Sequence, residues 1–466
     1  MGIYKNSSNT ENNCKIFPQV HFILKNLIFS ILIIGILFSA TALKPNNMSE
    51  DAFDIFLNCN ETDGYICPYS EINCGPLLNH DVQHALDLTK QYNEIGIKLI
   101  RTHDFSGPTD ITTIFPDWDA DSNLESSYDF MSSDKYISSI INSNCQVFYR
   151  LGESASSNNK LRIPPSNVSK WANICKHIVM HYNDGWNNGF FYNIIYWEIW
   201  NEPDLLGFWN GSAQEYCTLF ETTLKTLKSY NESLKIGGPC TSSLTNDEYT
   251  TNFLGYLMDN NIYLDFFSWH HYSDNPNELY ESSKYIRNLL DSYGFTYTEN
   301  INTEWNINIL TPQREKDNAK NGAFTACSLI AFNNSELDHA FRYRGTQDPN
   351  WLMRILGLDL SLFTHDGIYK KPALSYLVMN YISNETPIRL KTPEINTSNG
   401  ITYIAGISED KTNISVLISN FNLKATLYNL EFINLPWNDT YIVAHYQIDS
   451  DYDFEILEKS TENSSI

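Results

Sequence analysis

The chain has 466 residues, enough for a large core and for two or three domains. Charged residues are only 18% and hydrophobic residues 42%, which excludes disorder over most of its length. A net charge of −24 excludes nucleic acid as a partner, because phosphate binding needs a basic surface, and leaves a neutral or cationic ligand. The aromatic share of 14% suits stacking on sugar rings as well as ordinary core packing.

The first distinctive segment is "LIFSILIIGILFSATAL", Leu27 to Leu43, preceded by Lys5, Lys15 and Lys25. It ends in the small-x-small form of a signal-peptidase site at Ala40–Ala42. At about 17 residues it is also at the lower edge of a membrane span. The expectation is a signal peptide or an uncleaved signal anchor over 1–43, outside the fold, with the rest secreted or extracytoplasmic. Membrane contact is expected only through that anchor. An extension over 44–69 follows, a candidate to add a strand to a later β domain. Cys59, Cys67 and Cys74 are close enough in sequence for one short disulfide among them. No C-x-x-C pair or His cluster accompanies them, so no zinc site is expected.

From about residue 70 short apolar runs alternate with longer amphipathic ones. The strand-like runs are 69–75, 97–103, 145–151, 193–201, 234–238, 264–271, 299–305 and 338–344. Helical patterns separate them. In "DVQHALDLTKQYNEIG" Val82, Ala85, Leu86 and Leu88 share a face and Gly96 closes the helix; in "VSKWANICKHIVMHYNDG" Trp171, Ile174, Cys175, Ile178 and Val179 do the same. "AQEYCTLFETTLKTLKSY" and "NELYESSKYIRNLLDSYG" are two more. Alternation of this kind means βα units and a parallel sheet, and eight strands over 70–383 fit an α/β fold of the (β/α)8 TIM-barrel type. No Gly-rich phosphate loop follows an early strand, which disfavours an open doubly wound sheet. Over 384–458 only short strands remain, broken by Asn, Gly and Pro, as in a small antiparallel β-sandwich domain. Residues 459–466 read as a tail.

Working residues of a TIM barrel sit where strands end. The fourth run leads through Asn201 to Glu202, the sixth ends in His270, His271 and Tyr272, and the seventh carries Glu304 with Trp305 beside it. Two carboxylates at one barrel mouth are what glycoside hydrolysis needs, one protonated to help the leaving oxygen and one ionised. Glu202 and Glu304 are about 100 positions apart, so only a closed fold joins them. Trp197 and Trp200 are apolar neighbours of the kind that raise a carboxylic pKa. Glu198 lies deeper and reads as a paired structural group. The amide of Asn201 suits a sugar hydroxyl. Arg342 and Arg344 end the last strand, where they suit either substrate oxygens or a salt bridge. "DWDADSNLE", 117–125, lacks the Gly and the final Glu of a calcium loop, so no metal and no cofactor is expected.

"WEIWNEPD" and "INTEWN", in this order, resemble the family 39 glycoside hydrolases, which include β-xylosidases and α-L-iduronidases. "IRTHDFSGP", "FYRLG" and "DFFSWHHY" match further, and the resemblance spans most of 70–383. It implies an enzyme hydrolysing O-glycosyl bonds with retention, with Glu202 as acid/base and Glu304 as nucleophile. It further implies that Asn201 holds a sugar hydroxyl, that His103 contacts the sugar, and that His270 or Tyr272 orients the nucleophile or the sugar. Trp305 and Arg342 complete the expected substrate-binding set. "TEWN" resembles the xylosidase branch more than the iduronidase branch. The alternatives are an endo-glycanase, an iduronidase-like enzyme, or an inactive sugar-binding barrel.

Overall fold

The computed structural model describes residues 32–39, 53–77, 86–103, 107–154, 162–244, 247–348, 351–392, 400–421, 427–437 and 440–463. Eight strands close into a parallel barrel: β1 (Glu71–Asn73), β2 (Leu99–Arg101), β3 (Gln146–Leu151), β4 (Tyr196–Ile199), β5 (Lys235–Thr241), β6 (Phe266–Tyr272), β7 (Glu299–Asn306) and β8 (His339–Arg342). They pair in chain order, and β8 closes on β1. Each of the eight expected runs overlaps one of these strands, and β5, β6 and β7 run one to three residues past the expected ends.

The helices lie between them for the reasons their sequences supply. Val168–Asp184 starts at Asn167, whose side chain accepts the Lys170 N–H, and stops at Gly185 in the left-handed region. Its stripe of Trp171, Ile174, Cys175, Ile178 and Val179 is buried. Ala213–Tyr230 opens with a reciprocal capping box between Ser212 and Glu215. The helix expected before β2 is shorter than its pattern. It runs from Thr89 to Glu94 and closes at Gly96, with Leu88 buried but Leu86 exposed. Val82 and Ala85 lie outside the described residues.

Inside the barrel, Leu99, Phe148, Phe266, Ile301 and Phe341 form one apolar layer with Tyr196 against it. Phe148 is its centre, with ring centroids 5.2 Å from Phe266 and 4.8 Å from Phe341. Side chains alternate along a strand, so two residues further on the same inward face carries Arg101, Arg150, Glu198, Ser268 and Tyr343. The barrel is thus stoppered by aromatic rings below and polar above.

Beyond the barrel stands a seven-stranded sheet in the order Asp453–Asn463, Thr440–Ile448, Leu32–Ser39, Asn413–Asn420, Ile401–Ile407, Ile388–Leu390, Thr62–Tyr65. A two-stranded sheet pairs Tyr428–Ile433 with Phe53–Asn58. Ile55, Leu57, Leu390, Ile414, Val416, Ile418 and Trp437 pack as their shared core. Three details depart from expectation. Leu32–Ser39, placed outside the fold by the sequence, is a strand lying parallel to both Asn413–Asn420 and Thr440–Ile448. An eight-residue apolar stretch is long enough for a strand, whatever else it serves. The domain is therefore mixed rather than wholly antiparallel. The last strand also runs to Asn463, through most of the expected tail. Finally, no disulfide joins Cys59, Cys67 and Cys74, nor any other pair among the described residues. Their elements diverge: Cys59 packs in the β domain, whereas Cys74 sits at the end of β1 with its thiol on the His103 carbonyl oxygen.

Gly237 of β5 makes room for the aromatic layer. A Cβ there would fall against the carbonyl oxygen and ring of Phe266, well inside van der Waals contact. Gly237→Ala is expected to lower unfolding stability by about 3 kcal/mol through overpacking, read as a fall in the urea midpoint. An unchanged midpoint would contradict this close approach.

Candidate active site

The polar layer is organised by Arg101, whose side chain is wholly buried. Its Nε donates to Glu198 Oε2 at 2.7 Å, and NH1 donates to Asn73 Oδ1 at 3.0 Å and Glu304 Oε1 at 2.9 Å. NH2 donates to Asn201 Oδ1 at 2.7 Å and to Cys240 Sγ at 3.1 Å. One cation thus joins β2 to β1, β4, β5 and β7. Glu198 is its deep counter-ion, as expected of the carboxylate further down the strand.

Glu304 is aimed inward by a backbone irregularity. The register of β7 against β6 shifts between Asn302 and Glu304, with Thr303 as the extra residue. Strict alternation from the inward Ile301 would have turned Glu304 out; the bulge turns it in. Its Oε1 takes the Arg101 bond and its Oε2 accepts from the Tyr272 hydroxyl at 2.7 Å. His103 Nε2 lies 3.5 Å from Oε1. Burial and the nearby Arg101 and Arg150 hold His103 well below its ordinary pKa, so it is neutral. Its ring lies near those of Phe208 and Tyr343, at 6.4 and 6.2 Å.

Glu202 reaches the same space by a different route. Trp200 and Glu202 both have positive φ, 77° and 46°, unusual for such residues and a form of strain that collects at functional sites. The turn sends the Trp200 ring outward against Trp171 and Trp209. It leaves Asn201 and Glu202 facing the mouth. The Glu202 N–H donates to the Cys240 carbonyl, and Oε1 lies 2.8 Å from His270 Nδ1. Burial, with the charge of Asp204, pushes the Glu202 carboxyl up to about 8. One oxygen from Glu202, one from Glu304 and one ring nitrogen of His270 lie within 4.8 Å of one another. Asn201 is fully buried; its Oδ1 is held by Arg101 and its Nδ2 has no partner among the described residues.

Of the expected substrate-binding set, the fold therefore brings Asn201, His103, His270 and Tyr272 around the two carboxylates. Trp305 and Arg342 are corrections. The bulge that turns Glu304 in turns Trp305 out, where its Nε1 donates to the Ala340 carbonyl and its ring meets Phe332. Arg342 follows the inward Phe341, so alternation sends it out to Thr325 and Asn321 of the helix Ala319–Phe332, over the Trp305 ring. His271 points to Ser282 on the outer helix. Arg344 is buried near the mouth and pairs with Asp348 at 3.3 Å. In the acidic loop at 117–125 the main-chain carbonyls of Trp118 and Ala120 receive the Lys170 ammonium at 2.5 and 2.6 Å.

The family model described as Glycosyl hydrolases family 39 matches residues 67–341. The chain belongs to this family. Relatives include a β-xylosidase of Geobacillus stearothermophilus, 26% identical over 52% of this chain and 55% of the relative, and a β-xylosidase of Caldicellulosiruptor saccharolyticus, 26% identical over 40% and 38%. The chain spans about half or less of the length of these relatives. In fold it is similar to a glucosidase from Croceicoccus marinus, with a TM-score of 0.74, 24% identity and coverage of 89% and 95% of the two chains. A family 39 β-xylosidase from Caulobacter crescentus follows at a TM-score of 0.63, 16% identity and coverage of 84% and 85%.

Two residues of this family 39 site were missed in the sequence, Arg101 and Cys240. Arg101 did leave a signal, a cation that shares the inward parity of Leu99 and stands two positions before His103. Cys240 left none. Because Arg101 neutralises a buried Glu198, Arg101→Met is expected to cost about 3–5 kcal/mol in stability, the cost of stranding a buried charge. Adding Glu198→Gln should restore part of that in urea unfolding. A double variant less stable than Arg101→Met would sink the pairing argument.

Proposed function

We propose that this chain is a retaining glycosidase, β-xylosidase-like, in which Glu202 is the general acid/base and Glu304 the nucleophile. One observation carries the reading: carboxyl oxygens of Glu202 and Glu304 within 4.8 Å at one barrel mouth. That fits the ~5–5.5 Å spacing of retaining enzymes and falls short of the ~6.5–9.5 Å that separates the carboxyls of inverting enzymes.

Their surroundings divide the roles. Glu304 is held by two donors, a guanidinium and a phenol, which fix the direction of its attack. Glu202 is kept protonated at neutral pH by burial. In the first step Glu304 bonds to the anomeric carbon as Glu202 gives its proton to the departing oxygen. In the second, Glu202, now a carboxylate, takes a proton from water as that water attacks the same carbon, and Glu304 leaves as a carboxylate. The Asn201 amide NH2, without a partner among the described residues, supplies a donor to a sugar hydroxyl beside the reacting carbon. The xylose preference is supported by the "TEWN" motif and by the two β-xylosidase relatives. Export is part of the same proposal, supported by the Leu27–Leu43 run behind Lys25. The N-terminal sequence of protein recovered outside the expressing cell tests it, and retention of the whole chain in the cytosol would count against it.

Release of 4-nitrophenol from the β-D-xyloside, lost in Glu304→Ala, is the expected result. Sugar binding without turnover across a panel of aryl glycosides would replace the enzyme with a binding protein. Because the acid must carry its proton, kcat/KM is expected to fall as pH rises through about 8. A pH profile flat to well above 9 would contradict the assignment of Glu202.

A further inference from the structure

Cys240 meets Arg101, Asn201, Glu202 and His270, although nothing in the reaction above uses a thiol. It stands near the end of β5 as the extra residue where the register shifts between Pro239 and Thr241, with φ of 58°. Its carbonyl oxygen accepts the N–H of Glu202. Its sulfur lies 2.9 Å from His270 Nε2 and 3.1 Å from Arg101 NH2, with Asn201 Oδ1 and Thr303 Oγ1 each at 3.5 Å.

The hydrogens can be counted. Arg101 only donates, so it uses the sulfur as an acceptor. The thiol has a single hydrogen, and burial, with the charge of Glu198, keeps it in place. Asn201 Oδ1 already takes a stronger bond from Arg101, and Thr303 is more distant, which leaves Nε2 of His270 as the acceptor. His270 is neutral, because burial and Arg101 outweigh the pull of Glu304. A neutral imidazole has one N–H, and its position decides what Glu202 can do. With hydrogen on Nδ1, the ring donates to Glu202 Oε1, and the carboxylic proton must sit on Oε2. With hydrogen on Nε2, Nδ1 becomes an acceptor and draws the carboxylic proton to Oε1, where it is held sideways.

We propose that Cys240 is a positioning residue for the general acid: its S–H donates to His270 Nε2, holds the ring in the Nδ1–H tautomer, and so keeps the proton of Glu202 on Oε2. The inference rests on the assignment of Glu202 as acid/base. It belongs to the same logic by which a ligating or catalytic imidazole is set by what its other nitrogen meets.

Two measurements test it. In 15N-histidine-labelled wild-type protein, the His270 resonances, identified by their loss in His270→Gln, are expected to show a protonated Nδ1; a protonated Nε2 overturns the proposal. In kinetics, Cys240→Ala should lower kcat/KM for phenyl β-D-xyloside by about 10- to 100-fold, in the range of a compromised general acid. The loss should be far smaller for 2,4-dinitrophenyl β-D-xyloside, whose leaving group needs no proton. Cys240→Ser, which keeps a donor, should recover most of the loss. Equal losses on the two substrates, or no loss in a Cys240→Ala protein that melts as a folded chain, overturn it. A wild type inactive on all glycosides would end the glycosidase reading, and the tautomer measurement would still decide the hydrogen bond.

Discussion

The active end of this barrel depends on one buried guanidinium. Arg101 is shut off from bulk solvent, and an ion of that size left alone in the interior is penalised by several kcal/mol. The fold answers with two carboxylates, two amide oxygens and a sulfur, drawn from four other strands. Each partner is fixed in return. Glu198 neutralises the charge, and Glu304 is aimed. Asn201 is turned so that its carbonyl is occupied and its NH2 is left over. The planar fork of donors makes this possible; a lysine ammonium would hold fewer partners and none in a plane.

Around that hub the same element irregularity is used repeatedly. A regular strand alternates its side chains, so it cannot place neighbours on one face. The bulge at Thr303, the left-handed turns at Trp200 and Glu202, and the extra residue Cys240 each break alternation at a strand end. The bulge turns Glu304 in and Trp305 out, the left-handed turns send Trp200 out and leave Asn201 and Glu202 at the mouth, and the extra residue puts the Cys240 sulfur beside His270. Below them the rings of Phe148, Phe266 and Phe341 exclude water, which strengthens every electrostatic contact above. The unlike environments of Glu202 and Glu304 follow from this arrangement. The first is buried beside an acid and a neutral ring, the second is held by a cation and a phenol.

Much of this was legible in the chain. The strands of the barrel were readable because each is short, apolar and bounded by a helix with its own cap and stop, as at Asn167 and Gly185. Glu202 and Glu304 were readable because chemistry in this fold sits at strand ends. Trp305 and Arg342 were misread by proximity to reactive neighbours, when alternation already argued against Arg342 beside Phe341. The short disulfide failed because nearness along the chain, at Cys59 and Cys74, was not nearness in space. Hydropathy alone did not show that Leu32–Ser39 pairs as a strand.

By itself, then, the sequence determined the order of strands and helices, the closed barrel, and the two carboxylates at the ends of β4 and β7. Those follow from local periodicity and from rules about where barrels work. The tertiary structure decided which side chains face the mouth, because bulges and left-handed turns are set by hydrogen bonding to neighbouring strands and leave no local period. It also decided the partners of Arg101, since these meet only when the barrel closes segments as distant as Asn73 and Glu304. For the same reason the role of Cys240, one buried thiol in an unremarkable strand, appears only in the folded chain.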